Sequence, residues 1–139
     1  MSLFPDVARD EVVVLVGNPK ASSRTAAVAG TVGAGLAGDT AAPRVIELSE
    51  LAARGAADPA LREAQQAVQR AGILVVATPV YKAGYTGLLK SFLDGLEHTA
   101  LESTVAVPVV LTASSAHGAL ADLQLRVVLQ ALGALIPVP

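Results

Sequence analysis

The chain contains no cysteine and no tryptophan, and only two Phe and two Tyr. The missing cysteines exclude disulfides, thiolate metal sites and a cysteine nucleophile. Histidine is nearly as scarce: His98 and His117 stand apart in the sequence, with no carboxylate spaced to join either, so no metal site is expected. A formal charge of −2 gives no electrostatic footprint for nucleic acid or an acidic membrane. No apolar run approaches the roughly 18 residues that span a bilayer. Residues 1–11 hold Asp6, Arg9, Asp10 and Glu11 where a secretory leader would place an apolar stretch. A cytoplasmic protein with neither nucleic acid nor membrane as partner is the expectation.

What is present is aliphatic. Hydrophobic residues make up 53% of the chain against 3% aromatic and 16% charged, a bias that suits a parallel sheet buried on both faces. A length of 139 residues fits one domain, read as 1–139.

The pattern along the chain alternates. Residues 11–16 (EVVVLV) read as a buried strand ended by Gly17, and 17–25 (GNPKASSRT) as a polar loop before an Ala-rich helix from Thr25 to the glycines near Gly38. Residues 44–48 (RVIEL) form a second strand, followed by a helical turn capped by Ser49. Asp58-Pro59 opens a helix whose inner face is Leu61, Ala64, Val68 and Ala71, with Gly72 as its stop. Residues 73–77 (ILVVA) are a third strand and 78–87 (TPVYKAGYTG) a loop. Leu88, Leu89, Phe92, Leu93 and Leu96 then recur with helical spacing, a stripe wide enough to serve as core or as an oligomer contact. Residues 105–113 are a fourth strand, in which Pro108 is expected to confine pairing to the later residues. The last helix follows 114–118, with Leu120, Leu123, Val127, Ala131 and Leu135 inward and Asp122, Arg126 and Gln130 outward. A fifth strand begins at Ile136. This β-α alternation predicts a parallel sheet with helices on both faces, and ligands outside the carboxyl ends of the strands.

Three strand-end loops have unusual composition. The first offers Ser22, Ser23 and Thr25 as hydroxyl donors and Lys20 and Arg24 as cations at a helix start, where backbone amides favour anions. It lacks the Gly-Lys-Ser/Thr ending of a nucleotide-hydrolysing loop. It reads either as a phosphate site or as a plain polar turn with a Ser or Thr cap. Gly33, Gly35 and Gly38 spell GxGxxG, but at the end of a helix rather than its start, so the dinucleotide reading is rejected. The third-strand loop holds both tyrosines, Tyr81 and Tyr85, beside Pro79, and suits a flat heteroaromatic ligand; Tyr85 is equally explained as cover for a helix end. The fourth-strand loop offers Thr112, Ser114, Ser115 and His117. Without a G-x-S-x-G elbow it does not make a serine hydrolase.

These residues carry a resemblance. GNPKASSRT after a strand resembles the phosphate loop of NADPH-dependent FMN reductases, and VVATPVYKAGYTGLLKSFLDGL resembles the corresponding stretch of that family's alkanesulfonate-system branch. The similarity runs from Val12 to about Pro137. It implies a flavodoxin-like three-layer α/β sandwich with strand order 2-1-3-4-5. It places the FMN phosphate at Asn18, Lys20, Ser22, Ser23, Arg24 and Thr25, the isoalloxazine ring at Pro79, Val80, Tyr81 and Lys82, and the far edge near Thr112, Ser114 and Ser115.

The implied activity is NAD(P)H-dependent reduction of FMN, with reduced flavin passed on to a partner monooxygenase. Because hydride passes directly between nicotinamide and flavin, no catalytic acid or base is expected. Family members form dimers or tetramers. Three departures stand out. Asn18 and Lys20 replace the commoner Ser and Arg. The 114–133 segment is about one residue shorter than in the sulfonate branch, which often carries an inserted residue forming a π-bulge here; its absence from this chain favours a reductase that keeps its FMN. Relatives continue into a complete fifth strand and a final helix, so either both are truncated here or a partner covers the bare flank of the sheet. Rival readings are an FMN-bound quinone or azo reductase, a flavodoxin-like electron carrier, and an inactive paralogue acting through oligomer contacts.

Overall fold

The computed structural model describes residues 11–39 and 41–137. The reading of residues 1–10 and the last two residues of the expected fifth strand lie outside them. Strand β1 (Val12–Val16) is followed by helix α1 (Arg24–Ala37), strand β2 (Arg44–Glu47), a 3₁₀ turn (Leu48–Glu50), helix α2 (Pro59–Arg70), strand β3 (Ile73–Pro79), helix α3 (Gly87–Asp94), strand β4 (Val105–Leu111) and helix α4 (Ser115–Ala131). The strands form one parallel sheet in the order β2-β1-β3-β4, as expected for the first four positions. The fifth strand is not formed among the described residues. An isolated parallel bridge joins Val105 and Leu135, with the Ala106 amide donating to the Leu135 carbonyl at 2.8 Å and the Leu135 amide to the Thr104 carbonyl at 3.0 Å.

Alternation within each strand divides the core. Val13, Leu15, Leu74 and Val76 face α2, α3 and α4 through Val68, Leu93, Leu125 and Leu129. Val12, Val14, Val16, Val75 and Ala77 face α1 through Ala29. With β1 and β3 fully paired and both faces covered, their continuous aliphatic runs are explained.

The helix starts follow side-chain chemistry. Ser23, Asp58, Thr86 and Ser114 cap α1, α2, α3 and α4, each accepting from an amide of the first turn. That amide, from Ala60, holds the Asp58 carboxyl below its ordinary range, with Arg54 adding to the effect. In the GxGxxG segment only Gly38 terminates a helix, at φ +61°; Gly33 lies inside α1, where a Cβ would stand 2.4 Å from a Val14 methyl. Gly38 closes the helix and Gly33 packs it, whereas Gly35 meets open space.

Several expectations need correction. Pairing with β3 runs the whole length of β4, Val76 lying opposite Pro108, because that proline loses only a donor on the side away from β3. Ser49 does not cap the 3₁₀ turn: it sits within it, and its buried hydroxyl has no partner among the described residues. α2 stops through Ala71 turning extended, not through Gly72. The wide stripe of α3 is core, with Leu89, Phe92, Leu93 and Leu96 buried and Leu88 packed against them.

The largest difference is α4. Its inward face is Gly118, Ala121, Leu125 and Leu129, whereas Leu120, Leu123, Val127 and Leu135 are exposed. Asp122 and Arg126 form a half-buried ion pair at 2.8 Å instead of marking the wet face. Both stripes obey helical spacing. Close approach selects one, since a Cβ on Gly118 would lie 2.5 Å from the Thr112 methyl.

Candidate functional site

The carboxyl ends of β1, β3 and β4 open into a cavity of about 950 Å³. One wall is the β1–α1 loop: Asn18, Lys20, Ser22, Ser23, Arg24 and Thr25. The other is Pro79 at the end of β3 and Val110, Leu111, Thr112 and Ala113 at the end of β4. Among the described residues of the lining, Lys20 and Arg24 are the charged ones.

The loop wall is held by its own side chains. The Asn18 amide donates to the Thr25 hydroxyl at 3.1 Å, and its oxygen accepts from the Lys20 amide at 2.9 Å. The Ser23 hydroxyl accepts from the Ala26 amide at 3.2 Å, closing the first turn of α1. Ser22 adopts a left-handed conformation, φ +52°, and its amide donates to the Glu47 carboxylate at the end of β2. Arg24 and Thr25 are the first residues of α1, where amides have no partner within the helix. Gly17 enters this loop without a positive φ. Its constraint is space, since a Cβ would lie 2.9 Å from that of Leu89.

The strand wall is held by the sheet. Pro79 pairs with Leu111 at the last position of the β3–β4 register, which fixes the two as neighbours. Thr112 points its hydroxyl into its own turn, donating to the Ser114 carbonyl and accepting from the Ser114 amide, both at 3.0 Å.

Thus all six residues expected around a phosphate line one wall, and Pro79 and Thr112 line the other. Val80, Tyr81, Lys82, Ser114 and Ser115 do not. Tyr81 and Gly84 exchange two backbone hydrogen bonds across a two-residue hairpin in which Lys82 and Ala83 have φ of +52° and +62°. Tyr81 is left exposed. Ser114 is committed to capping α4, and Ser115 is its first residue. Tyr85 packs against the core beside α3, where burial pushes its phenol pKa up. Val110 and Leu111 were missed. A buried aliphatic run carries no mark of which residues reach the strand's open end.

This arrangement can hold a dianion by charge, hydroxyls and helix amides at one end, and a flat apolar group along the strand ends.

The chain was compared with known proteins. The family model for NADPH-dependent FMN reductase matches residues 11–139. An FMN reductase (NADPH) of Escherichia coli K12 is 45% identical over 76 residues, which cover 55% of this chain and 40% of that protein. The NADH-dependent FMN reductase SfnE of Pseudomonas putida is 33% identical over 132 residues, covering 89% of this chain and 71% of the relative. The crystal structure of the apo form of the NADH:FMN oxidoreductase EmoB superposes with a TM-score of 0.80 at 38% identity, over 89% of this chain and 70% of that one. This chain belongs to the NADPH-dependent FMN reductase family.

Proposed function

We propose that the cavity binds FMN and that the protein is an NAD(P)H-dependent flavin reductase. The observation that carries this reading is the loop wall: two cations, three hydroxyls and the open end of α1, with no carboxylate among the described lining residues, opposite a largely apolar wall. Asn18, Lys20, Ser22, Ser23, Arg24 and Thr25 would take the phosphate, Arg24 as a planar fork and Lys20 as a point charge. The ring would lie along Pro79, Val110 and Leu111, with the 80–82 hairpin at one border and Thr112, Ser114 and Ser115 at the other.

When bound, FMN supplies the two-electron acceptor for hydride from NADH or NADPH. The chain's own contribution would be positional: the 18–25 loop would hold the phosphate and the strand-end wall would orient the ring. None of the two cations or the hydroxyls is needed as an acid or base.

The same reading extends to partners. α4 is an uninterrupted α-helix without a π-bulge, which supports retention of FMN rather than its release. The exposed Leu120, Leu123 and Val127 on α4 support self-association through this helix rather than through α3. Delivery of reduced flavin to a monooxygenase rests on the family resemblance, and a cytoplasmic location on the composition of the sequence. Among the described residues no helix is long and apolar enough to cross a membrane.

The test follows NADH and NADPH oxidation with and without added FMN, alongside a flavin titration. FMN-dependent oxidation supports the proposal. Tight FMN binding without oxidation of either nucleotide replaces it with an electron carrier, and no binding removes it.

A further inference from the structure

Gly17 and Pro79 begin the two walls of the cavity, one at the end of β1 and the other at the end of β3. Between them, buried away from the cavity, lies Thr86, 1% exposed. Its hydroxyl donates to the Gly17 carbonyl at 2.6 Å and accepts from the Leu89 amide at 3.1 Å. Its own amide donates to the Thr78 hydroxyl at 3.2 Å, and that hydroxyl donates to the Pro79 carbonyl at 2.7 Å. The Gly17 amide closes the circuit by donating to the Ala77 carbonyl at 2.8 Å. Every donor and acceptor in this chain of bonds is used, and each of the two threonines is almost fully buried.

A helix cap needs only an acceptor. Thr86 does more, because its donor side reaches 69 residues back to the residue before Asn18. The Leu89 side chain, on the turn that Thr86 caps, is also what leaves no room for a Cβ on Gly17. Packing and hydrogen bonding therefore fix the same point, the entrance of the loop wall. Removing the hydroxyl would leave a buried carbonyl at Gly17 without its partner, and the cheapest relief is movement of the loop toward water.

We infer that Thr86 is a positioning residue: its hydroxyl ties the entrance of the 17–25 loop to the end of β3 and so sets the spacing between the two walls of the flavin cavity. The inference rests on the FMN reading for its functional consequence, but not for its structural one.

The test compares Thr86→Val, which keeps the shape and loses the hydroxyl, with Thr86→Ser, which keeps the hydroxyl. Hydrogen–deuterium exchange of the 17–25 and 80–85 amides is read well below the melting temperature, together with FMN and riboflavin dissociation constants. Thr86→Val should speed exchange in both loops and weaken FMN by about tenfold or more, riboflavin by less, with Thr86→Ser within about threefold of the parent. Unchanged FMN affinity and exchange confined to one loop, with only the melting temperature lowered, would overturn the inference and leave Thr86 a plain helix cap. If Thr86→Val does not fold, Thr78→Val removes the second link and keeps the cap. It should weaken FMN by about three- to tenfold, and parental affinity and exchange there would equally overturn the inference. If the parent binds no flavin, the functional reading fails, and the exchange result alone decides the tie.

Discussion

The two walls of the cavity are built on different principles. The 18–25 wall is a loop shaped by side chains: Asn18 binds Thr25 and Lys20, Ser23 caps α1, and Glu47 holds the Ser22 amide. The Pro79 and 110–113 wall is the end of a sheet, placed by the β3–β4 register that sets Pro79 beside Leu111. In the first wall the identity of each side chain matters. In the second, what matters is where the strands stop and what supports them from behind.

The sharpest test of that contrast replaces Ser22, Ser23 and Arg24 together by Ala. Hydrogen bonds to a charged group are worth about 1.5–3 kcal/mol each, so FMN affinity should fall at least roughly a hundredfold in a fluorescence titration. Because Ser23 also caps α1, the Ser22→Ala/Arg24→Ala pair serves as the version with the cap intact. An unchanged titration curve would move the phosphate elsewhere.

Behind the second wall, α4 packs through Leu125 and Leu129 and leaves Leu123 60% exposed. Leu129→Ala should cost about 2–5 kcal/mol in chemical denaturation, and Leu123→Ala no more than about 0.5 kcal/mol in a monomer. Equal costs would mean that α4 is rotated from the orientation described. A large cost for Leu123→Ala that vanishes on dilution would identify it as a subunit contact.

Side-chain loss just beyond the second wall should matter little. Ser114→Ala should change FMN affinity by no more than about threefold, and it should cost only about 0.5 kcal/mol of stability through its long capping bond. Ala83→Gly, in the neighbouring hairpin, should stabilise the protein by about 0.5–1 kcal/mol, because it relieves a positive φ at a non-glycine residue. Its flavin affinity should stay within about twofold of the parent.

The smallest effect lies far from both walls. The folded-state pKa of Asp58 is depressed, so the cap contributes stability above the ordinary value of 3.8 and loses it as pH falls through the lower folded value. Asp58→Asn keeps a good cap without the titration, and its melting temperature should be less acid-sensitive below pH 3.8. An identical acid dependence would assign that loss to other carboxylates.

The same contrast explains what could be read from the residues alone. The alternation of strands and helices and the Asp58 cap were legible, and so was the polar, cationic composition of the 17–25 loop, because Asp before Pro and Ser, Thr and Lys at a strand end have few roles to choose from. The inner face of α4 was not. Leu120, Leu123 and Val127 and the set Ala121, Leu125 and Leu129 are both apolar stripes, and only the fit of Gly118 against Thr112 chooses between them. Nor was the role of Thr86 legible, since its partner Gly17 is 69 residues away. The 80–82 segment is a ring contact only by the family resemblance; the residues alone do not foretell the Tyr81–Gly84 hairpin, whose two backbone hydrogen bonds leave Tyr81 exposed.

The central claim is that the 17–25 loop recognises a phosphate, and riboflavin, which is FMN without its phosphate, tests it most directly. Titrating the parent protein with both flavins should give FMN the tighter binding by roughly a hundredfold or more, and the Ser22→Ala/Arg24→Ala variant should erase most of that preference. Equal affinity for the two flavins in the parent protein would contradict the account.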